Sequence, residues 1–290
     1  LTRKLQPRAA AAAIAQAFHD ACLAELDALK PGNVHRHGDG HGMSCADFEA
    51  SAKAAAPSIG RAKLGVGARI KQAVDATQQV TGLNTNLGII LLSAPLASAA
   101  YTPGDGDLHA RVASVLANLT VEDAREAYRA IRAARPGGLG DAPEHDVASE
   151  PSVTLLDAMR AAETRDRIAW NYTHDFVDVF DMGLIWLKQA RERWGDGPWS
   201  ATRVYLGFLA HVPDTLIERK FGDDAAAEVA EEARAIEASF AEAGEPEDMT
   251  APLLSFDRSL KERGLNPGTS ADLTVATLFA AALQDLEKAE

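Results

Sequence analysis

Apolar residues return every three or four positions through most of this chain, and short polar segments rich in Gly, Pro and Asn interrupt them. Near the start, Ile14, Phe18, Cys22 and Leu26 recur every four residues, the stripe of a helix packed on one face. Reading that period onward predicts helices over about 8–29, 45–58, 66–80, 87–100, 106–118, 121–134, 152–168, 172–194, 199–211, 222–243, 249–263 and 270–288. A short extra turn is expected near Thr215. Alternating β-branched runs are missing, so a sheet is not expected. The fold class that follows is all-α, with the active site built from helix ends and loops. Two looser stretches, 135–150 and the acidic 242–248, are too short to mark a domain boundary, and no repeat or low-complexity tract divides the chain. One domain over 1–290 is therefore expected.

Composition narrows this picture without changing it. The 290 residues are 47% hydrophobic, largely Ala and Leu, and only 6% aromatic, which suits closely packed helices. The formal charge of −13 speaks against nucleic acid or an anionic membrane as partner, although a local basic pocket can still hold phosphate. Cys22 and Cys45 are too few for a disulfide framework or a thiolate cage and read as free thiols. Arg3, Lys4 and Arg8 precede an Ala-rich run, but Gln16, His19 and Asp20 break it, so it does not read as a signal peptide. No apolar run reaches the length of a membrane span. A cytoplasmic protein is expected, with self-association left open.

The chemistry lies in the polar segments. Four of them stand where a helix should begin or end: Lys30-Pro-Gly-Asn-Val-His35 through His41, Gly82-Leu-Asn-Thr-Asn-Leu-Gly88, His211 through Lys220, and Asn266-Pro-Gly-Thr-Ser-Ala-Asp272. Helix capping explains part of this: Thr215 and Glu218 have capping-box spacing, with looser versions at Thr269–Asp272 and Ser44–Asp47. Capping does not call for Lys30, Asn33, His35, Asn84, Asn86, Asp214, Arg219 and Lys220 as well, and it leaves Glu144, His145 and Asp146 without a role. Helix N-termini offer free amides and partial positive charge to phosphate oxygens, and glycines let the backbone come close. A polyanionic ligand is thus expected. Carboxylates beside such an anion suggest Mg²⁺ between them, with Glu144, Asp146, Asp214 and Asp272 as candidates. Neither a Walker nor a Rossmann glycine fingerprint is present. His35, His37 and His41 are close enough in sequence to suggest a transition metal, but no helical His-x3-His pair or Cys set accompanies them, which disfavours zinc.

Taken in order, Lys-Pro-Gly-Asn-Val-His, Asn-Thr-Asn-Leu-Gly, Gly-Leu-Gly with Glu-His-Asp-Val, Pro-Asp-Thr-Leu-Ile-x-Arg-Lys and Asn-Pro-Gly-Thr-Ser-Ala-Asp-Leu resemble the triphosphoribosyl-dephospho-CoA synthase family from about residue 20 to 285. The resemblance implies an all-α enzyme that transfers C1 of the ATP ribose to an acceptor hydroxyl, releasing adenine and keeping the triphosphate on the sugar. It implies ATP and a small-molecule acceptor, dephospho-CoA or a related cofactor precursor, as partners. Cleaving the bond to adenine builds positive charge at C1, so carboxylates to stabilise it and to move protons are expected. On motif position, Glu144, Asp146 and Asp214 are assigned the acid and base work. ATP binding is assigned to Lys30, Gly32, Asn33, His35, Asn84, Thr85, Asn86, Arg219, Lys220, Gly268, Thr269 and Ser270, and Mg²⁺ to Asp214 and Asp272.

The second motif is more similar to an archaeal and methylotroph branch than to the citrate-lyase branch, which carries Asn-Thr-His-Lys-Gly there. That raises an alternative acceptor, a tetrahydromethanopterin-type pterin precursor, whose α-linked ribose would follow from inversion at C1. A second alternative is a helical nucleotide-binding protein without activity.

Overall fold

The computed structural model describes residues 7–103, 106–137 and 144–289. Fourteen α-helices form among them: α1 (Pro7–Asp27), α2 (Cys45–Ile59), α3 (Val66–Thr81), α4 (Leu87–Tyr101), α5 (Leu108–Ala117), α6 (Val121–Ala134), α7 (Leu155–Arg160), α8 (Arg167–Thr173), α9 (Leu184–Trp194), α10 (Pro198–His211), α11 (Thr215–Phe221), α12 (Asp223–Glu242), α13 (Thr250–Glu262) and α14 (Gly268–Ala289). No strand forms among the described residues. Only the isolated bridges His35–Gly38 and Gly40–Met43 do, inside one polar loop. No helix among them is long and apolar enough to cross a membrane.

Two helices organise the core. α4 reads Leu-Gly-Ile-Ile-Leu-Leu-Ser-Ala-Pro-Leu-Ala-Ser-Ala-Ala-Tyr, without a charge, and is buried on nearly every side. α14 packs against α4, α1 and α10, and from Thr269 to Leu283 most of its residues are buried. Their N-termini, at Leu87 and Gly268, open onto the same cleft. A second, smaller core gathers Tyr205, Leu206 and Leu209 of α10 with Val229 and Phe240 of α12 and Phe256 and Leu260 of α13. It supports the loop that follows α1.

The periodicity misplaces helix ends in one region. The helix expected over 152–168 is split: α7 stops at Arg160, and Asp166 starts α8 by accepting from the amides of Ile168 (2.9 Å) and Ala169 (3.3 Å). The helix expected over 172–194 begins late, because Asp175 and Phe176 take left-handed backbone angles before a π-helical turn, Asp178–Gly183, runs into α9. The physical reason is burial. Phe176 is fully buried, and the buried Asp178 carboxylate is held by Arg167 (2.7 and 2.8 Å) and Asn171 (2.8 Å), contacts that the uniform helix would not make.

Candidate functional site

The loop after α1 is fixed from beneath. Gly32 has a φ of +82°, and its amide donates to Asp257 Oδ1 (2.9 Å) while its carbonyl accepts from His41 Nε2 (2.8 Å). A Cβ there would meet Pro267 Cδ at 2.8 Å, so only glycine lets the two Pro-Gly loops nest. His35 is buried, its Nδ1 accepts from the His37 amide (3.1 Å), and its Nε2 therefore carries the proton and points at Asp257 Oδ1, 3.2 Å away. Lys261 completes the brace, with Nζ 3.0 Å from both Gly38 O and Asp257 Oδ1. His35, His37 and His41 thus have separate tasks, and no group of three His, Cys, Asp or Glu among the described residues is arranged to hold a metal ion.

Lys30 is fully buried. Its Nζ pairs with Glu25 Oε1 and donates to Asn33 Oδ1 (3.1 Å), and Asn33 Nδ2 donates in turn to Asn266 Oδ1 (2.8 Å). This chain ties the end of α1 to the loop before α14. Burial pulls the Lys30 ammonium down from its ordinary pKa and pushes the Glu25 carboxyl up, each opposed by the other's charge.

Above this network lies a cleft of about 240 Å³. The N-terminus of α4 forms one wall, where Asn84, Thr85 and Asn86 precede the helix. Asn84 Oδ1 caps the Leu87 amide (3.3 Å) and Thr85 Oγ1 shares a 2.6 Å hydrogen bond with Ser51 Oγ. The amides of Gly88 and Ile89 keep no acceptor among the described residues, as first-turn amides do when the cap satisfies only one of them. The N-terminus of α14 faces them with Gly268, Thr269 and Asp272, while Arg219 and Lys220 of α11 stand at the third side. Asn86 Nδ2 and Arg219 Nε are buried without a hydrogen-bond partner among the described residues. The cleft therefore collects backbone amides, side-chain amides and two cations, a setting for an anion.

The Asp272 carboxylate faces this cleft and has no hydrogen-bond partner among the described residues. Burial, then Asp214, Glu25 and Asp166 nearby, pushes its carboxyl well above the usual carboxylate range. It lies so close to α4 that a Cβ at Gly88 would be 2.0 Å from its Oδ2. Asp214 is placed differently. It is the N-cap of α11, its Oδ1 accepting from Leu216 N (3.1 Å) and Ile217 N (3.3 Å) and its Oδ2 from Ser270 N (2.8 Å) and Ser270 Oγ (2.9 Å). Burial raises its pKa against those four bonds. With its acceptor positions taken and no surface on the cleft, Asp214 braces α11 against α14 and offers no lone pair to a metal. Ser270 belongs to the same brace, as does Thr269 Oγ1, which lies 3.1 Å from Thr215 Oγ1.

A second cavity adjoins the first. It is mostly apolar, walled by Leu155, Met159 and Ala162, with Tyr128 of α6 across from them and Glu144, His145 and Asp146 on one side. The Tyr128 hydroxyl donates to His145 O and Arg132 Nη1 to Val147 O (2.5 Å), pinning this segment onto α6, while Asp146 Oδ1 accepts from the Ala148 amide (2.7 Å). Residues 138–143, which carry the Gly-Leu-Gly part of the motif, lie outside the described residues.

Of the residues singled out from sequence, Asn33, Asn84, Thr85, Asn86, Arg219, Lys220, Gly268, Thr269 and Asp272 meet at the first cleft. Glu144 and Asp146 meet at the second cavity. Lys30, Gly32, His35, Asp214 and Ser270 stand behind the lining as its support. Sequence reasoning missed Glu25, which lines the first cleft from within the Ala-rich α1, and Asp166, which lines both cavities. Glu25 sits in a regular helical stripe and gave no signal. Asp166 was hidden by the expectation of one continuous helix, although Arg-Asp-Arg ahead of an apolar stretch is itself a cap signal.

The fold has a counterpart in the crystal structure of a provisionally assigned triphosphoribosyl-dephospho-CoA synthase from Archaeoglobus fulgidus, at a TM-score of 0.63 and 24% identity, covering 81% of this chain and 98% of that one. At that identity the likeness shows the fold. No curated protein matches the chain by sequence. The CitG family, ATP:dephospho-CoA triphosphoribosyl transferase, matches residues 11–290. Its acceptor is dephospho-CoA, so neither a pterin acceptor nor a silent nucleotide binder is favoured. A match over nearly the whole length places the chain in the ATP:dephospho-CoA triphosphoribosyl transferase family, an enzyme that moves the triphosphoribosyl group of ATP to dephospho-CoA.

Proposed function

We propose that the two adjoining cavities divide the substrates of this transfer by polarity. The first cleft takes the triphosphate and ribose of ATP: the Gly88 and Ile89 amides, Thr269, Arg219 and Lys220 surround the phosphates, and Asn33, Asn84 and Asn86 supply hydrogen bonds to sugar and phosphate oxygens. The second, apolar cavity takes a purine ring, with Glu144 or Asp146 beside it to protonate the departing base. Asp214, Ser270, Lys30 and His35 hold the helix ends that carry these groups. Mg²⁺ bound with the triphosphate would neutralise phosphate charge, and Asp272, which lines the cleft, would be the carboxylate beside it. Use of ATP and a CoA precursor supports a cytoplasmic setting.

The observation that supports this reading is the amide-lined, cationic cleft sharing a wall with an apolar cavity, within a chain of this family. Incubation with ATP, Mg²⁺ and dephospho-CoA should release adenine and add one triphosphoribosyl group to dephospho-CoA by mass. Loss of activity on chelation, restored by Mg²⁺, is expected as well. ATP hydrolysed to ADP without free adenine would refute the reading.

A further inference from the structure

Five residues line both cavities: Leu91, Ile131, Asp166, Ile168 and Arg219. Two of these are charged, and they form an ion pair, Arg219 Nη1 with Asp166 Oδ2. If the ribose and triphosphate lie in one cavity and a purine in the other, the bond from C1 to the base crosses this shared wall. We propose that Asp166 is the catalytic carboxylate at C1, resting on the two-cavity reading above. Its negative charge stabilises the positive charge that grows on the ribose carbon as adenine leaves.

The division of its two oxygens supports this. Oδ1 takes both α8 amides, Ile168 N and Ala169 N, which satisfies the cap. Oδ2 is left for the cavity side, with Arg219 as its protein partner, and 24% of the side chain stays exposed there. A cap alone needs no charge, and an Asn or Ser would serve it equally. Glu144 and Asp146 line only the second cavity, Asp272 and Glu25 only the first, and Asp214 neither.

In the step, the C1–N9 bond breaks with its electron pair leaving on adenine, a lone pair of the acceptor hydroxyl forms the new C1–O bond, and the hydroxyl proton ends on adenine. Atoms and charge balance without a further reactant. Asp166 forms no bond to the sugar in this scheme. Arg219 holds the carboxylate in place through Nη1.

The test is Asp166→Asn in the full chain, with adenine release followed at saturating dephospho-CoA. The cap survives, so the melting temperature should stay close to wild type, while kcat falls about 100- to 1000-fold, as for other losses of a charge-stabilising group. KM for ATP should move by less than about 3-fold. Asp166→Ser, which also caps, should lose kcat in the same way and serves if the Asn variant does not fold. A kcat within about 3-fold of wild type overturns the proposal. So does a loss confined to KM for ATP, since Asp166 would then act through Arg219. Wild-type protein that releases no adenine overturns the two-cavity reading and this role with it. Wild-type turnover beside an unimpaired Asn variant overturns this role alone.

Discussion

Replacing Lys30 by Met should cost stability first and catalysis second. The side chain is fully buried, its ammonium paired with a Glu25 that is itself 3% exposed, so Lys30→Met leaves a carboxylate without a cation in the floor of the cleft. Removing one member of a buried pair typically costs about 3 to 5 kcal/mol, because the remaining charge keeps its desolvation penalty. For a chain this long, where each kcal/mol is worth roughly 2 °C, that corresponds to a fall in melting temperature of about 6 to 10 °C. Glu25→Gln in the same chain removes the stranded charge, and replacing both members together is commonly close to neutral. The double variant should therefore recover more than half of the lost stability, which calorimetry on the four proteins of the cycle measures directly. The Lys30–Asn33 bond is lost in both, so it cancels in the comparison. Should Lys30→Met melt like wild type and lose ATP affinity instead, the ammonium reaches phosphate and its placement behind the lining is refuted.

Gly88→Ala sets a gain in helix propensity of under about 1 kcal/mol against a Cβ placed 2.0 Å from Asp272 Oδ2 and 2.7 Å from Ile168 Cδ1. Overpacking of this kind costs about 1 to 3 kcal/mol, so a modest fall in melting temperature and a large fall in adenine release are expected; unchanged activity would show that the Asp272 carboxylate can move aside harmlessly. Asp272→Asn should stabilise the apoprotein. Burial raises the folded pKa of this carboxyl above its unfolded value, so its contribution is fully favourable below the ordinary carboxylate range and is lost as pH rises through the raised value. The variant should be the more stable protein at neutral pH, with the difference vanishing toward pH 4, as followed by melting curves across that range. Asp214→Asn turns an amide toward either Ser270 N or the two α11 amides, stranding a buried donor at a cost of about 1 to 3 kcal/mol, measurable by urea unfolding. An Asn variant as stable as wild type would refute the brace.

The fold class needed only the sequence. A helical stripe such as Ile14, Phe18, Cys22 and Leu26 depends on spacing within one segment, and the uncharged run from Leu87 to Tyr101 is apolar enough to require burial on all sides whatever surrounds it. The Pro, Gly and Asn positions likewise marked helix ends locally, and the order of five motifs carried the family. The division of labour among the motif residues was not local. Lys30 and Asn33 stand three positions apart, yet one is fully buried against Glu25 and the other lines the cleft, because α1 ends where α14 begins. Asp214 and Asp272 look alike in sequence, and only the approach of α11 to α14 gives one four donors and the other none among the described residues. Asp166 comes to the shared wall through a helix break that burial of Phe176 and Asp178 imposes on a continuous pattern. Spacing along the chain records which side of a helix is apolar, whereas partners such as Ser270 for Asp214 and Asp257 for His35 come from segments far away in the chain.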